Sequence, residues 1–89
     1  MPTALIAHLA TVTRWRAYVR QLAQDSIDIQ GLVLIHERRA RIARYPGMRD
    51  AQLRIAGALM TAVEAVDMEM LAAAAIVADV ERDFDEMQT

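Results

Sequence analysis

The sequence contains no cysteine. Its absence excludes a disulfide framework, a thiolate metal site and any thiol nucleophile. It fits a reducing compartment. Lysine is also missing: all ten basic residues are arginine, a bias we attribute to a GC-rich genome rather than to chemistry. Aromatics are scarce, with one Trp, two Tyr and one Phe, while Ala and aliphatic residues abound. That balance disfavours sheets and favours helices. Helix breakers are few, since Pro is confined to positions 2 and 46 and Gly to 31, 47 and 57. Net charge is only −2, so there is no global attraction to nucleic acid or anionic membrane. Long apolar runs are missing too. His8 and Arg14 interrupt the N-terminal stretch, which argues against a secretory signal. The most hydrophobic segment, Ile55 to Val80, carries Glu64, Asp67, Glu69 and Asp79, which argues against a membrane span. A cytoplasmic protein is expected. At 89 residues it is one small domain, 1–89, with a marginal core that calls for a partner.

What the sequence does have is a heptad pattern, twice over. One series runs Leu5, His8, Val12, Trp15, Val19, Leu22, Ser26, Ile29, Val33, His36, Ala40. The other runs Gln52, Ala56, Leu59, Val63, Val66, Met70, Ala73, Val77, Val80, Phe84, Met87. The two mirror each other about Pro46, so that Leu5 pairs with Met87, Trp15 with Val77 and Ala40 with Gln52. Such a mirror predicts an all-α fold, an antiparallel helical hairpin with a slight left-handed supercoil. The predicted elements are a helix over 3–44, a turn over 45–48 and a helix over 49–87. Pro2-Thr3 is the expected start of the first helix. Tyr45-Pro46-Gly47 is the expected hinge, with Gly supplying unusual dihedrals. Asp50 is expected in the first turn of the second helix, complementing its dipole. The weak point is Asp25 to Gly31, where Asp25-Ser26 resembles a cap and Gly31 costs about 1 kcal/mol. The unbroken heptad phase favours a continuous helix, with a kink there as an option. A break near residue 25 and a short strand at Ile27–Ile35 are the alternatives.

The seam does not use all the apolar residues. Leu53, Ile55, Met60, Met68, Leu71 and Ile76 remain on the second arm, and Ile6, Leu9, Ile27, Leu34, Ile35 and Ile42 on the first. A helix apolar on most sides is buried on most sides. A dimer forming a four-helix bundle is the simplest cover. The expected self-association residues are Met60, Met68, Leu71, Ala75 and Ile76.

Charge is segregated. Residues 1–54 hold nine Arg against four acids, and residues 55–89 hold one Arg against eight acids. In a hairpin this becomes a basic closed tip (Arg38, Arg39, Arg41, Arg44, Arg49, Arg54) and an acidic open end (Asp79, Glu81, Asp83, Asp85, Glu86). Two hairpins with tips at opposite ends would place each basic tip against an acidic end; the alternative is that both are solvated helix ends. Arg38, Arg41, Arg44 and Tyr45 are the expected partner-binding residues. Their target is an acidic protein surface or, with Tyr45 stacking on a base, a nucleic acid, although no reading motif accompanies them.

Catalytic and metal chemistry find little support, and no cofactor is expected. Asp25 with Asp28, and Glu64 with Asp67, are i,i+3 acid pairs. A di-iron carboxylate bundle, however, needs Glu three residues before His, and neither His8 nor His36 has one. The acids read as a solvated rim and the histidines as partly buried seam residues. Ser26, the only serine, reads as a core hydroxyl bonded to its own backbone. The isolated glycines form no phosphate loop. Ile27-Asp28, Leu32, Leu34, Ile35 and Glu37-Arg38-Arg39, with Arg20 upstream, resemble the first helix of the all-helical chorismate mutases. That resemblance implies a small dimeric enzyme in which Arg38 and Arg20 hold a dicarboxylate. It stops at the hinge: Arg49-Asp50 is not followed by the Arg-Glu pair of that family, and no break divides the second arm. The residues themselves point to a non-enzymatic protein–protein interaction or assembly module: a structural subunit, an adaptor, or a small inhibitor such as phages encode.

Overall fold

The structure is a computed structural model and describes residues 3–88. It consists of two helices packed along their whole length, α1 (Thr3–Ile42) and α2 (Pro46–Gln88), in a rod whose Cα extents are 66 × 15 × 13 Å. The antiparallel hairpin predicted from the heptads is therefore the fold, and no strand occurs among the described residues.

Both heptad series form the seam. All eight buried residues belong to them: Val12, Leu22, Ser26, Val33 and Ala40 on α1, and Ala56, Val63 and Ala73 on α2. Every other member is half-buried, except Met87, which is exposed. The mirror register is visible where His8 stacks on Phe84, with ring centroids 5.7 Å apart and planes within 13°. His8 Nε2 also donates to the Val80 carbonyl at 2.7 Å.

α1 runs unbroken as a helix through Asp25–Gly31, with no strand there. Local side-chain bonds hold the weak turn: Gln21 donates to Asp25, Gln24 to Asp28 and Gln30 to Ser26, each at i,i+4 spacing.

The hinge is tighter than predicted. α1 ends at Ile42 rather than Arg44, and α2 starts at Pro46 rather than Arg49. The Tyr45 carbonyl accepts from Met48 N and Arg49 N, both at 3.1 Å, so Tyr45 caps α2 and Pro46 is its first residue. Proline suits that position because its missing N–H has no partner there anyway. Gly47 lies within the first turn, and no described residue has positive φ, so the glycine supplies no unusual dihedral. Asp50 consequently falls in the second turn, and the first turn of α2 holds no acid. The start expected at Pro2-Thr3 rests partly on Pro2, which lies outside the described residues.

Candidate functional site

The rod has two flanks beside the seam, each marked by an interhelical bond. On one, Arg16 pairs with Glu81 through Nε at 2.8 Å and through its terminal nitrogen. On the other, Tyr18 donates its hydroxyl to Glu69 Oε1 at 2.9 Å. That bond, with some desolvation and the nearby Glu69 charge, raises the Tyr18 phenol above its ordinary value.

The Tyr18 flank carries a cleft of about 540 Å³, lined by Thr11, Arg14, Trp15, Tyr18 and Glu69. Trp15 meets Tyr18 edge to face at 5.9 Å. Its contents are aromatic faces, one arginine and one carboxylate already bonded to a phenol. Such a lining accepts an apolar or mixed side chain and offers no activated nucleophile.

The flanks differ most on α2. Steps of three and four from Glu69 along the Tyr18 side give Met48, Ala51, Ile55, Ala58, Ala62, Ala65, Ala72 and Ile76, in which Glu69 is the sole charge. The same steps from Glu81 along the Arg16 side pass through Asp67, Glu64 and Asp50. Leu32, Ile35 and Ile42 lie on the Tyr18 side of α1, all exposed.

The five residues expected for self-association do not form one patch. Met68, Leu71 and Ala75 lie on consecutive turns of the outer face of α2, with Met68 and Leu71 73% and 70% exposed. Leu71 and Met60 share the stripe that runs from Glu81 through Asp67 and Glu64, whereas Ile76 lies on the Tyr18 flank.

The basic tip is assembled as expected. Arg38, Arg41, Arg44 and Tyr45 are exposed around the hinge. Ion pairs among the described residues join Arg16 to Glu81 and Arg82 to Asp79, and none engages the tip arginines. Beside them lies a shallow cleft of about 340 Å³ bounded by Glu37, Ala40, Arg41, Arg49 and Leu53.

Ser26 does not bond its own backbone. Its Oγ donates to Asp67 Oδ1 at 2.7 Å and accepts from Gln30. His36 Nδ1 donates to Gln52 Oε1 at 2.6 Å. No cluster of three metal-ligating side chains exists among the described residues. No described helix is long and apolar enough to cross a membrane. Arg20 and Arg38 lie on one unbroken helix, about 27 Å apart along its axis at 1.5 Å per residue, so one hairpin cannot close both on a small dicarboxylate. α2 is undivided, unlike the second half of the chorismate mutases.

Fold and surface thus define an antiparallel two-helix hairpin with exposed apolar faces and opposite charges at its ends. No family model matches the chain, and neither does a curated protein or a solved structure.

Proposed function

We propose that this chain is a non-enzymatic assembly module of the cytoplasm: a hairpin that self-associates and presents its arginine tip to another protein. The observation carrying this reading is the imbalance between core and surface. Seven apolar residues are buried, whereas seventeen large hydrophobic ones are exposed among the described residues. Accessible surface is 6543 Å². A folded monomer of 10.0 kDa is expected to expose about 5,200 Å². Covering that difference in two copies removes roughly 2,600 Å², the scale of a permanent homodimer.

Sedimentation equilibrium of the purified chain tests this. A dimer persisting on dilution supports it; a well-folded monomer at all concentrations overturns self-association.

A second reading rests on the unpaired tip arginines. Together with Tyr45 they are suited to an acidic protein surface, or less readily to nucleic acid given the acidic remainder of the chain. Arg38→Ala with Arg41→Ala should abolish salt-sensitive capture of an acidic partner without changing helicity. The tip assignment is lost if binding survives the double change.

A further inference from the structure

We propose that a copy of this chain packs on each flank of the rod, so that a hairpin lies between two others and the assembly exceeds a dimer. This rests on the self-association reading and adds its stoichiometry.

The exposed apolar surface is divided evenly. Arg16 with Glu81 marks one flank and Tyr18 with Glu69 the other, and steps of three and four along each helix carry both down the rod. On the Arg16 flank, α1 exposes Ile6, Leu9, Ile27 and Leu34. Leu53, Met60 and Leu71 continue that flank on α2. On the Tyr18 flank, α1 exposes Tyr18, Leu32, Ile35 and Ile42. Met48, Ile55 and Ile76 continue it on α2. Each flank thus holds seven of the seventeen large hydrophobic residues exposed among the described residues. The other three are Tyr45 at the tip, Met87 near the open end and Met68 on the outer edge of α2.

The outer edges, opposite the seam, have a different character. That of α1 runs Ala10, Ala17, Gln24, Gly31, Arg38, and that of α2 runs Arg54, Thr61, Met68, Ala75, Arg82. Small and polar residues there leave the flanks as the faces for stacking.

A dimer does not satisfy this pattern. In a four-helix bundle of two hairpins, each hairpin turns one flank inward and the other to water, so one flank is apolar and the other polar. Here a copy on one flank would leave seven large apolar side chains bare on the opposite flank of both chains. A patch of that extent marks a further contact.

Charge identifies the cover as the chain itself. Residues 37–54 hold six Arg and two acids, and the rest of the chain holds four Arg and ten acids. No ion pair among the described residues joins the tip arginines to their own rod. A neighbour running the other way lays its basic tip along the acidic remainder and receives the same in return, on either flank. Neighbours running the same way would set six arginines against six.

Sedimentation equilibrium of three chains tests this. The wild type is expected above twice its 10.0 kDa mass. Leu34→Glu with Met60→Glu charges the Arg16 flank, and Ile35→Glu with Ile55→Glu charges the Tyr18 flank. All four residues are exposed in the single hairpin, so circular dichroism should report unchanged helix. Where glutamate unfolds the chain, glutamine at the same positions replaces it. Each double variant should form a smaller assembly than the wild type. A flank whose alteration leaves the wild-type mass intact is not a contact, and that result overturns the proposal. So does a wild type that stops at the dimer, whatever the variants do. Self-association then stands, with one flank left to a different protein. A wild-type monomer removes both.

Discussion

Ser26 and Asp67 join the two helices at mid-rod, with Oγ 2.7 Å from Oδ1. Ser26 is the buried polar side chain of the seam, and Gln30 donates to the same oxygen. A polar residue at a seam position fixes register, because sliding by one layer would strand it against aliphatic neighbours. Ser26→Ala removes the donor to a half-buried carboxylate and the acceptor for Gln30. It should lower stability by about 1–2 kcal/mol, read as a lower urea midpoint with unchanged slope. An unaltered midpoint would show that the bond contributes nothing net.

The Tyr18–Glu69 bond predicts a pH effect. Accepting the phenolic proton in a hydrogen bond, and repelling the phenolate, Glu69 holds the folded-state phenol above its ordinary value of 10.0. Because the folded value is raised, the stabilisation is complete below the ordinary phenol value and is lost as pH rises through the folded one. In a Tyr45→Phe background only one phenol titrates, and its ultraviolet absorbance reports ionisation. Glu69→Gln should bring that titration down toward 10.0. If the two curves coincide, the carboxylate is not the cause.

Gly31 and Gly57 sit in helix interiors, and an added Cβ would meet nothing within 4 Å at either. Neither has positive φ. Alanine should therefore stabilise through the unfolded state, by about 0.5–1 kcal/mol at each site and additively. Thermal melts followed by circular dichroism decide this. Gly57→Ala falling outside the trend would indicate that a partner approaches the α2 backbone at that turn.

The hairpin was legible because its signal is long-range and redundant. Twenty-two positions in two mirrored series agree, and a local weakness such as Gly31 cannot shift their phase. The hinge was less legible, because Pro46-Gly47 carries two meanings. The pair breaks a helix when it follows one and starts a helix when it precedes one. Only the Tyr45 carbonyl, accepting from Met48 and Arg49, distinguishes them. Side-chain partners across the seam were the least legible. Ser26 has a backbone acceptor available in any helix, and only the interhelical distance brings Asp67 closer. Phase relative to the seam separates Ile76 from Leu71, a distinction that hydrophobicity alone does not make.

Concentration should decide whether the rod stands alone. Among the described residues no large side chain is fully enclosed, and the buried apolar ones are Val, Leu and Ala. A core of that kind in a chain of this length is marginal. If a second copy supplies the missing cover, folding is linked to association and the thermal midpoint rises with protein concentration. The midpoint should also fall with added salt, since opposed basic tips and acidic ends attract across the dimer and are screened beyond a Debye length of about 10 Å at 0.1 M. Tips held together would give the reverse, because salt would relieve their repulsion. A midpoint independent of concentration would mean that the hairpin is stable as a monomer and that its apolar faces await a different protein.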